Sequence, residues 1–262
     1  VPILATTHKE IQMNRLLRLL ADNRSLPHGE GQLRRFEVKN ATADEATVYV
    51  YDAIVSSQLE ADFWGGVAAE PFVRAFNDIS APLIHLRINS PGGDVFAARA
   101  METAVRQHKS AVLVHIDGYA ASAASILAMA GDEIEIADGG CIMIHNSWSL
   151  AMGNAADMRK TADLLEQVDA SIVATFVKRT GMDAKDIAQL MTDETWIFAE
   201  DAVAGKWADR IAPDSAEAKL NWNIAALLDK PKTPTPERVP VPDTESRVAA
   251  ERKQRHYERI AA

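Results

Sequence analysis

From Pro82 to about residue 212 the chain repeats one pattern: a short apolar run, a turn, then a segment with helical periodicity. Leu83–Ile88 reads as a strand, Asn89-Ser-Pro-Gly-Gly93 as a turn and Val95–His108 as a helix. Ala111–Ile116 is the next strand, stopped by Asp117-Gly118, and the small-residue segment Ser122–Ala130 the next helix. Short strands are expected at 133–136 and 141–144. Strands that alternate with helices in this way form parallel β-α-β units with helices on their faces, so the expected fold class is α/β.

The flanking segments fit around that unit. Residues 10–22 have helical periodicity and precede a polar loop with Pro27-His28-Gly29. Arg35–Val38 and Ala46–Ile54 look like strands, and Gly65–Ile79 reads as a helix with Val67, Phe72, Val73 and Phe76 on its apolar face. Asn154 is a good N-cap, with Asp157 three residues on, for a long helix ending at Thr180-Gly181. Asp183 caps a further helix to about Leu190, and a short one, Ala199–Ala204, stops at Gly205. Five of the eleven prolines fall between Pro231 and Pro242, which marks an extended, semi-rigid linker. The Glu-, Arg- and Ala-rich end has too few apolar positions for a core and is expected to be a solvated helix on a partner, or unstructured. The expected organisation is an N-terminal helix and lead-in strand over 1–44, a main domain over 45–212, a linker over 213–243 and a charged tail over 244–262.

Composition removes several functions. With 262 residues and 47% apolar content the chain can bury a full core. No apolar run approaches the ~20 residues that span a bilayer, so no membrane association is expected. The chain opens on Val1 without the basic-then-apolar pattern of an export signal, and a cytoplasmic setting is expected. A net charge of −9 argues against nucleic acid as a partner, because phosphate contacts need concentrated Lys and Arg. No Gly-x-x-x-x-Gly-Lys-Ser/Thr loop is present, so the chain is not expected to hydrolyse ATP by itself. The seven histidines are scattered and the single cysteine, Cys141, reads as a core residue, so neither metal nor cofactor is expected.

The chemistry concentrates in Gly118-Tyr-Ala-Ala-Ser122-Ala-Ala-Ser125 and Met143-Ile-His145. Ser122 falls at a strand-to-helix turn, where free N–H groups and the helix dipole suit a nucleophile whose attack creates an oxyanion. A helix cap is the other reading of a serine there. Ser125, a turn further in, should face packing. His145 leaves the end of the apolar run Cys141–Ile144, where a base belongs, whereas His85 and His115 sit inside strand patterns and should face core or solvent. Ser147 and Ser149 lie too near His145 in sequence to be its partners. The N–H of Gly92 or Gly93 could line an oxyanion hole, since two glycines after a proline allow close backbone approach. A Ser–His pair needs a group to orient the imidazole, and Asp193 and Glu194 are candidates. On an extended segment only one of two neighbours can reach it.

Together Ile88-Asn-Ser-Pro-Gly-Gly93, Gly118-Tyr-Ala-Ala-Ser122-Ala, Met143-Ile-His145 and Phe198-Ala-Glu-Asp-Ala202…Gly205-Lys-Trp-Ala-Asp209 resemble the Clp protease proteolytic-subunit (ClpP) family of serine peptidases. The motifs keep the family's order and cover roughly 45–212. Tyr51-Asp…Phe63-Trp-Gly-Gly66 and Glu194-Thr-Trp196 look most like the ClpP-related head maturation proteases of tailed phages and prophages. The resemblance implies the ClpP/crotonase-like spiral fold, Ser122 as nucleophile, His145 as general base, and Gly93 (alternatively Gly92) and Ala123 as oxyanion donors. Glu194 stands where the family normally has an aspartate, with Asp193 one step early as the alternative. It further implies a homo-oligomeric ring, a capsid or scaffold protein as substrate, and work in the bacterial cytoplasm or inside a procapsid. Cellular members use an unfoldase ATPase; no sign of that partner stands in this sequence. Three other functions compete: a non-catalytic capsid-assembly protein that retains the fold, a crotonase-like acyl-CoA enzyme, and a Ser-Lys peptidase, for which no lysine stands out.

Overall fold

The structure, a computed structural model, describes residues 36–39 and 42–213. The helix expected at 10–22, the proline-rich segment and the charged tail lie outside them. The described elements are β1 (Phe36–Lys39), β2 (Glu45–Val50), β3 (Ile54–Val55), α1 (Gln58–Trp64), β4 (Val67–Ala68), α2 (Ala69–Asn77) and β5 (Leu83–Ser90). They continue with α3 (Val95–Gln107), β6 (Ala111–Ala121), α4 (Ala123–Ala128), β7 (Glu133–Ile136) and β8 (Cys141–Ile144). The last are α5 (Ala155–Thr180), α6 (Ala184–Thr192), β9 (Thr195–Phe198), α7 (Ala199–Ala204) and β10 (Arg210–Ile211).

The expected α/β alternation is present, and its main sheet runs β1-β2-β5-β6-β7-β10. Strands β2, β5, β6, β7 and β10 pair in parallel. Two pairings depart from that rule: β1 lies antiparallel on β2, and β9 antiparallel on β8. The helix expected over Gly65–Ile79 is shorter than its pattern. Gly65 and Gly66 both take positive φ, and Val67–Ala68 pairs with β3, so α2 begins only at Ala69. A separate short helix, α1, precedes it.

β6 is the strand that positions the site. It was expected to stop at Ile116 but continues through Asp117-Gly118 to Ala121. Its Leu113–Ile116 stretch pairs with β7, while Tyr119–Ala121 pairs with β8. At Gly118 a Cβ would come within 2.6 Å of the Asn89 side-chain oxygen, so a larger residue would have to displace that side chain. The sheet therefore branches along a single strand, and the end of β6 is delivered beside the end of β8.

The core follows the period-two pattern of the strands. Ala46, Val48 and Val50 of β2, Ile84, Leu86 and Ile88 of β5, and Val112, Val114 and Ile116 of β6 are buried with Phe72, Phe76 and Met101 from α2 and α3. Of the alternate positions, Leu83, Ala111 and Leu113 form a small apolar cluster, and others carry polar groups that satisfy one another. His85 and His115 pair at 2.9 Å, His115 meets Glu135 at 3.1 Å, and Arg210 holds both Glu135 and Glu133. Arg87 and Tyr51 both bond the Asp117 carboxylate. Burial and the Asp117 charge push the Tyr51 hydroxyl up to about 12, so it stays a donor. The two histidines thus serve the sheet, one buried and one half-buried, instead of a reaction.

Long α5 bears a full capping box at Asn154 and Asp157 and ends on Gly181 in the left-handed region, as its sequence implied. Its buried residues, Ile172, Thr175, Phe176 and Thr180, all lie in its second half.

Candidate active site

Ser122 joins β6 to α4 with φ 53° and ψ −125°. That backbone costs an L-residue roughly 1–3 kcal/mol, and such strain gathers at functional turns. Its side chain caps no helix N–H, so the capping reading of this serine does not hold. Its N–H donates to the Met143 carbonyl at 2.8 Å, tying the turn to β8. Two residues past Met143, His145 leaves that strand and brings Nε2 to 2.7 Å from Ser122 Oγ. Ser125 is fully buried and donates to the Ser122 carbonyl, as its helical position predicted.

The Asn89–Gly93 turn lies against this pair. Ser90 Oγ donates to the Asp52 carbonyl at 2.7 Å and accepts the Gly92 N–H at 3.2 Å, so Gly92's donor is already in use. Ile54 N–H donates to the Gly92 carbonyl at 2.7 Å, and Asp94 N–H to the Ile54 carbonyl at 2.9 Å. These bonds pin the loop from both sides of Gly93. A Cβ on Gly92 would come within 2.7 Å of Ala123 N, which shows how closely the loop meets the start of α4. The N–H groups of Gly93 and Ala123 make no hydrogen bond among the described residues. Both residues line one cleft of about 460 Å³ with Ser122 and His145. Its walls are largely apolar, including Ile54, Val95, Ile126, Ile144 and Phe176.

The segment carrying His145 is held by two helices. Asn146 N–H donates to the Met191 carbonyl at 3.1 Å at the end of α6. Ser147 N–H donates to Asp169 Oδ1 at 2.7 Å on α5, and Ser147 Oγ to the Leu165 carbonyl at 3.3 Å. Burial pushes the His145 ring below its ordinary value of 6.5, and the Glu194 and Asp169 charges oppose that shift. The ring is therefore neutral at pH 7, the form that can accept a proton from serine.

The two acids expected near His145 separate clearly. The β8–β9 register pairs Ile144 with Thr195, so its next step sets Glu194 opposite His145. Glu194 takes φ 49° and is the first of the two charges acting on the ring. No hydrogen bond joins His145 to either acid; the Glu194 carboxylate meets Trp196 Nε1 at 3.5 Å. Asp193 points elsewhere, with both carboxylate oxygens 3.0 Å from Gln189 Nε2 on the exposed side of α6. Asp169 was not singled out in the sequence. Its signal was there, since an acid at i−3 to Ile172 and i−7 to Phe176 lies on the helix's inward stripe.

Among the described residues no group of three or more metal-binding side chains is present, and no helix is long and apolar enough to cross a membrane. Residues 72–214 match the Clp protease family. ATP-dependent Clp protease proteolytic subunit 3 of Rhodococcus jostii is 30% identical over 137 residues, 51% of this chain and 67% of that one. Proteolytic subunit 2 of Treponema pallidum is 28% identical, over 57% of this chain and 76% of its own. A ClpP1 variant from Listeria monocytogenes superposes with a TM-score of 0.55 at 20% identity, covering 64% of this chain and 91% of the other, a likeness of fold.

Proposed function

The chain belongs to the Clp protease family, and from that premise we propose that it is a serine endopeptidase working through Ser122, His145 and Glu194. The observation that carries this reading is the 2.7 Å contact between Ser122 Oγ and His145 Nε2 on a left-handed strand-to-helix turn, beside two unclaimed backbone N–H groups. Ser122 Oγ attacks the scissile carbonyl carbon as its proton passes to His145 Nε2. The Gly93 and Ala123 N–H groups receive the oxyanion. Collapse breaks the C–N bond while His145 returns the proton to the leaving amine. Water, deprotonated by the same ring, then hydrolyses the Ser122 ester. Glu194 stabilises the transient imidazolium by its charge.

The substrate we propose is a phage or prophage capsid or scaffold protein, cleaved during head maturation by a ring of copies. Support comes from the Tyr51-Asp…Phe63-Trp-Gly-Gly66 and Glu194-Thr-Trp196 signatures. Fluorophosphonate labelling tests the chemistry: a native-only adduct on Ser122, lost in Ser122→Ala and on heating, is expected. No adduct on native protein or on assembled particles refutes it. Unaltered capsid processing in particles carrying Ser122→Ala would remove the maturation role.

A further inference from the structure

α1 is a helix with no buried residue, although it carries three large apolar side chains. Leu59, Phe63 and Trp64 are 74%, 76% and 59% exposed. The helix does not earn its place through the core, and its position relative to the cleft suggests another use. Glu60 lines the same cleft as Ser122 and His145, together with Val55 just before the helix. Phe63 and Trp64 stand three and four residues after Glu60, which puts all three on one helix face. The two aromatic rings touch, with centroids 5.6 Å apart. Glu60 thus links the cleft to an exposed aromatic pair on its own helix face.

The charge of the cleft points to what lies there. Among the described residues its lining includes Glu60 and Asp94 and no lysine or arginine. Asp94 is occupied in capping α3, where it accepts the Ala97 N–H at 2.7 Å. Glu60 is held in place by Ser56, whose N–H and hydroxyl donate to its carboxylate at 3.0 and 2.8 Å. A positioned carboxylate at the rim of an apolar cleft favours a cationic side chain beside it.

We propose that α1 is a docking platform for the substrate polypeptide. An extended segment leaves the cleft along this helix, sets a lysine or arginine against Glu60, and lays an apolar side chain on Phe63 and Trp64. This rests on the peptidase reading and adds to it a substrate class: segments in which a basic residue and an apolar residue lie a few positions from the scissile bond.

The test measures binding apart from turnover. The probe is a fluorescein-labelled peptide of roughly 12 residues, about 40 Å when extended at ~3.3 Å per residue, long enough to leave the cleft. It carries a central leucine, one lysine, one phenylalanine and otherwise serine and glycine; a second version has glutamine for lysine. Both are titrated by anisotropy against full-length Ser122→Ala protein, alone or with Phe63→Ser and Trp64→Ser, or with Glu60→Gln. Glutamine keeps an acceptor for Ser56, and α1 buries nothing, so thermal melts should match across the set.

Losing the aromatic pair is expected to weaken binding about tenfold. Glu60→Gln is expected to weaken the lysine peptide several-fold and leave the glutamine peptide unchanged. An unchanged Kd without the aromatic pair overturns the platform, and equal responses of the two peptides overturn the basic preference. A change in particle mass on losing Phe63 and Trp64, with Kd unmoved, makes α1 a contact between copies and also refutes the inference. Absence of Ser122 labelling in wild type, with α1-dependent binding intact, defeats the peptidase reading alone.

Discussion

Replacing Gly93 by alanine separates the steric and chemical roles of the loop beside Ser122. Gly93 has φ 142°, and a Cβ there would lie 2.0 Å from the Ile54 carbonyl oxygen, a backbone atom that cannot swing aside. The loop must retreat from Ile54, and the two hydrogen bonds that flank Gly93 are lost or stretched. At ~1 kcal/mol each, with ~1–3 kcal/mol for alanine in that backbone region, the destabilisation is about 3–5 kcal/mol. That is a large share of the ~5–15 kcal/mol typical of a domain. The same retreat moves the Gly93 N–H away from the developing oxyanion, and loss of one such donor lowers the rate by roughly 10²–10³. Urea denaturation reads the first effect; the fluorophosphonate labelling rate per folded molecule reads the second. Gly139→Ala is the control, since nothing lies within 4 Å of its Cβ, and it should stay within ~0.5 kcal/mol of wild type. A Gly93→Ala protein within ~1 kcal/mol of wild type refutes the steric argument. One that is destabilised but labels at the full rate removes Gly93 from the oxyanion hole.

The remaining predictions concern His145. Its ring is held below 6.5 by burial and must be neutral to act, so the rate should be full at pH 7 and fall on acidification, with a midpoint under 6.5. A flat profile from about pH 5 to 8 would exclude it as the base. Glu194→Gln removes the larger of the two charges favouring the imidazolium, so the acid limb should move lower while the plateau rate drops. The loss should be smaller than the ~10⁴ that follows neutralising a fully bonded triad aspartate. Asp193→Asn, whose carboxylate accepts from Gln189 on the exposed side of α6, should change neither reading. Asp169→Asn keeps an acceptor for the Ser147 N–H but removes its charge. A smaller shift of the acid limb in the same direction is expected, and an unmoved limb would reduce Asp169 to a structural contact.

How much of this was legible in the sequence depends on the range of the interaction. Asn154, Asp157 and Gly181 delimit α5 through local hydrogen bonds, and the sequence shows them directly. Ser122, His145 and the Gly92–Gly93 turn were visible because each stands at the end of an apolar run. The preference for Gly93 over Gly92 was not decidable locally. It depends on Ser90 taking the Gly92 N–H while also reaching Asp52, 38 residues away in sequence. The continuation of β6 beyond Ile116 was hidden by Asp117-Gly118, which looks like a strand end. There Arg87 of the adjacent β5 neutralises the aspartate, the Tyr51 hydroxyl just past β2 donates to it, and the strand runs on. For Asp169 the helical spacing to Ile172 and Phe176 gave its inward face, but not its partner, since Ser147 is 22 residues away.

The branching of the sheet along β6 has a mechanical consequence. Ser122 follows the half of β6 that pairs with β8, and His145 follows β8 itself, so nucleophile and base are carried by two directly paired strands. Gly93 follows β5, on the other side of β6, which meets this end of β6 only after a register slip between Ile88 and Ser90. A small slide of β5 past β6 would leave the Ser122–His145 bond unbroken while opening or closing the gap between the Gly93 and Ala123 N–H groups. A phosphonylated crystal form compared with a free one is expected to show a change in the Gly93–Ala123 spacing at a constant Ser122–His145 spacing.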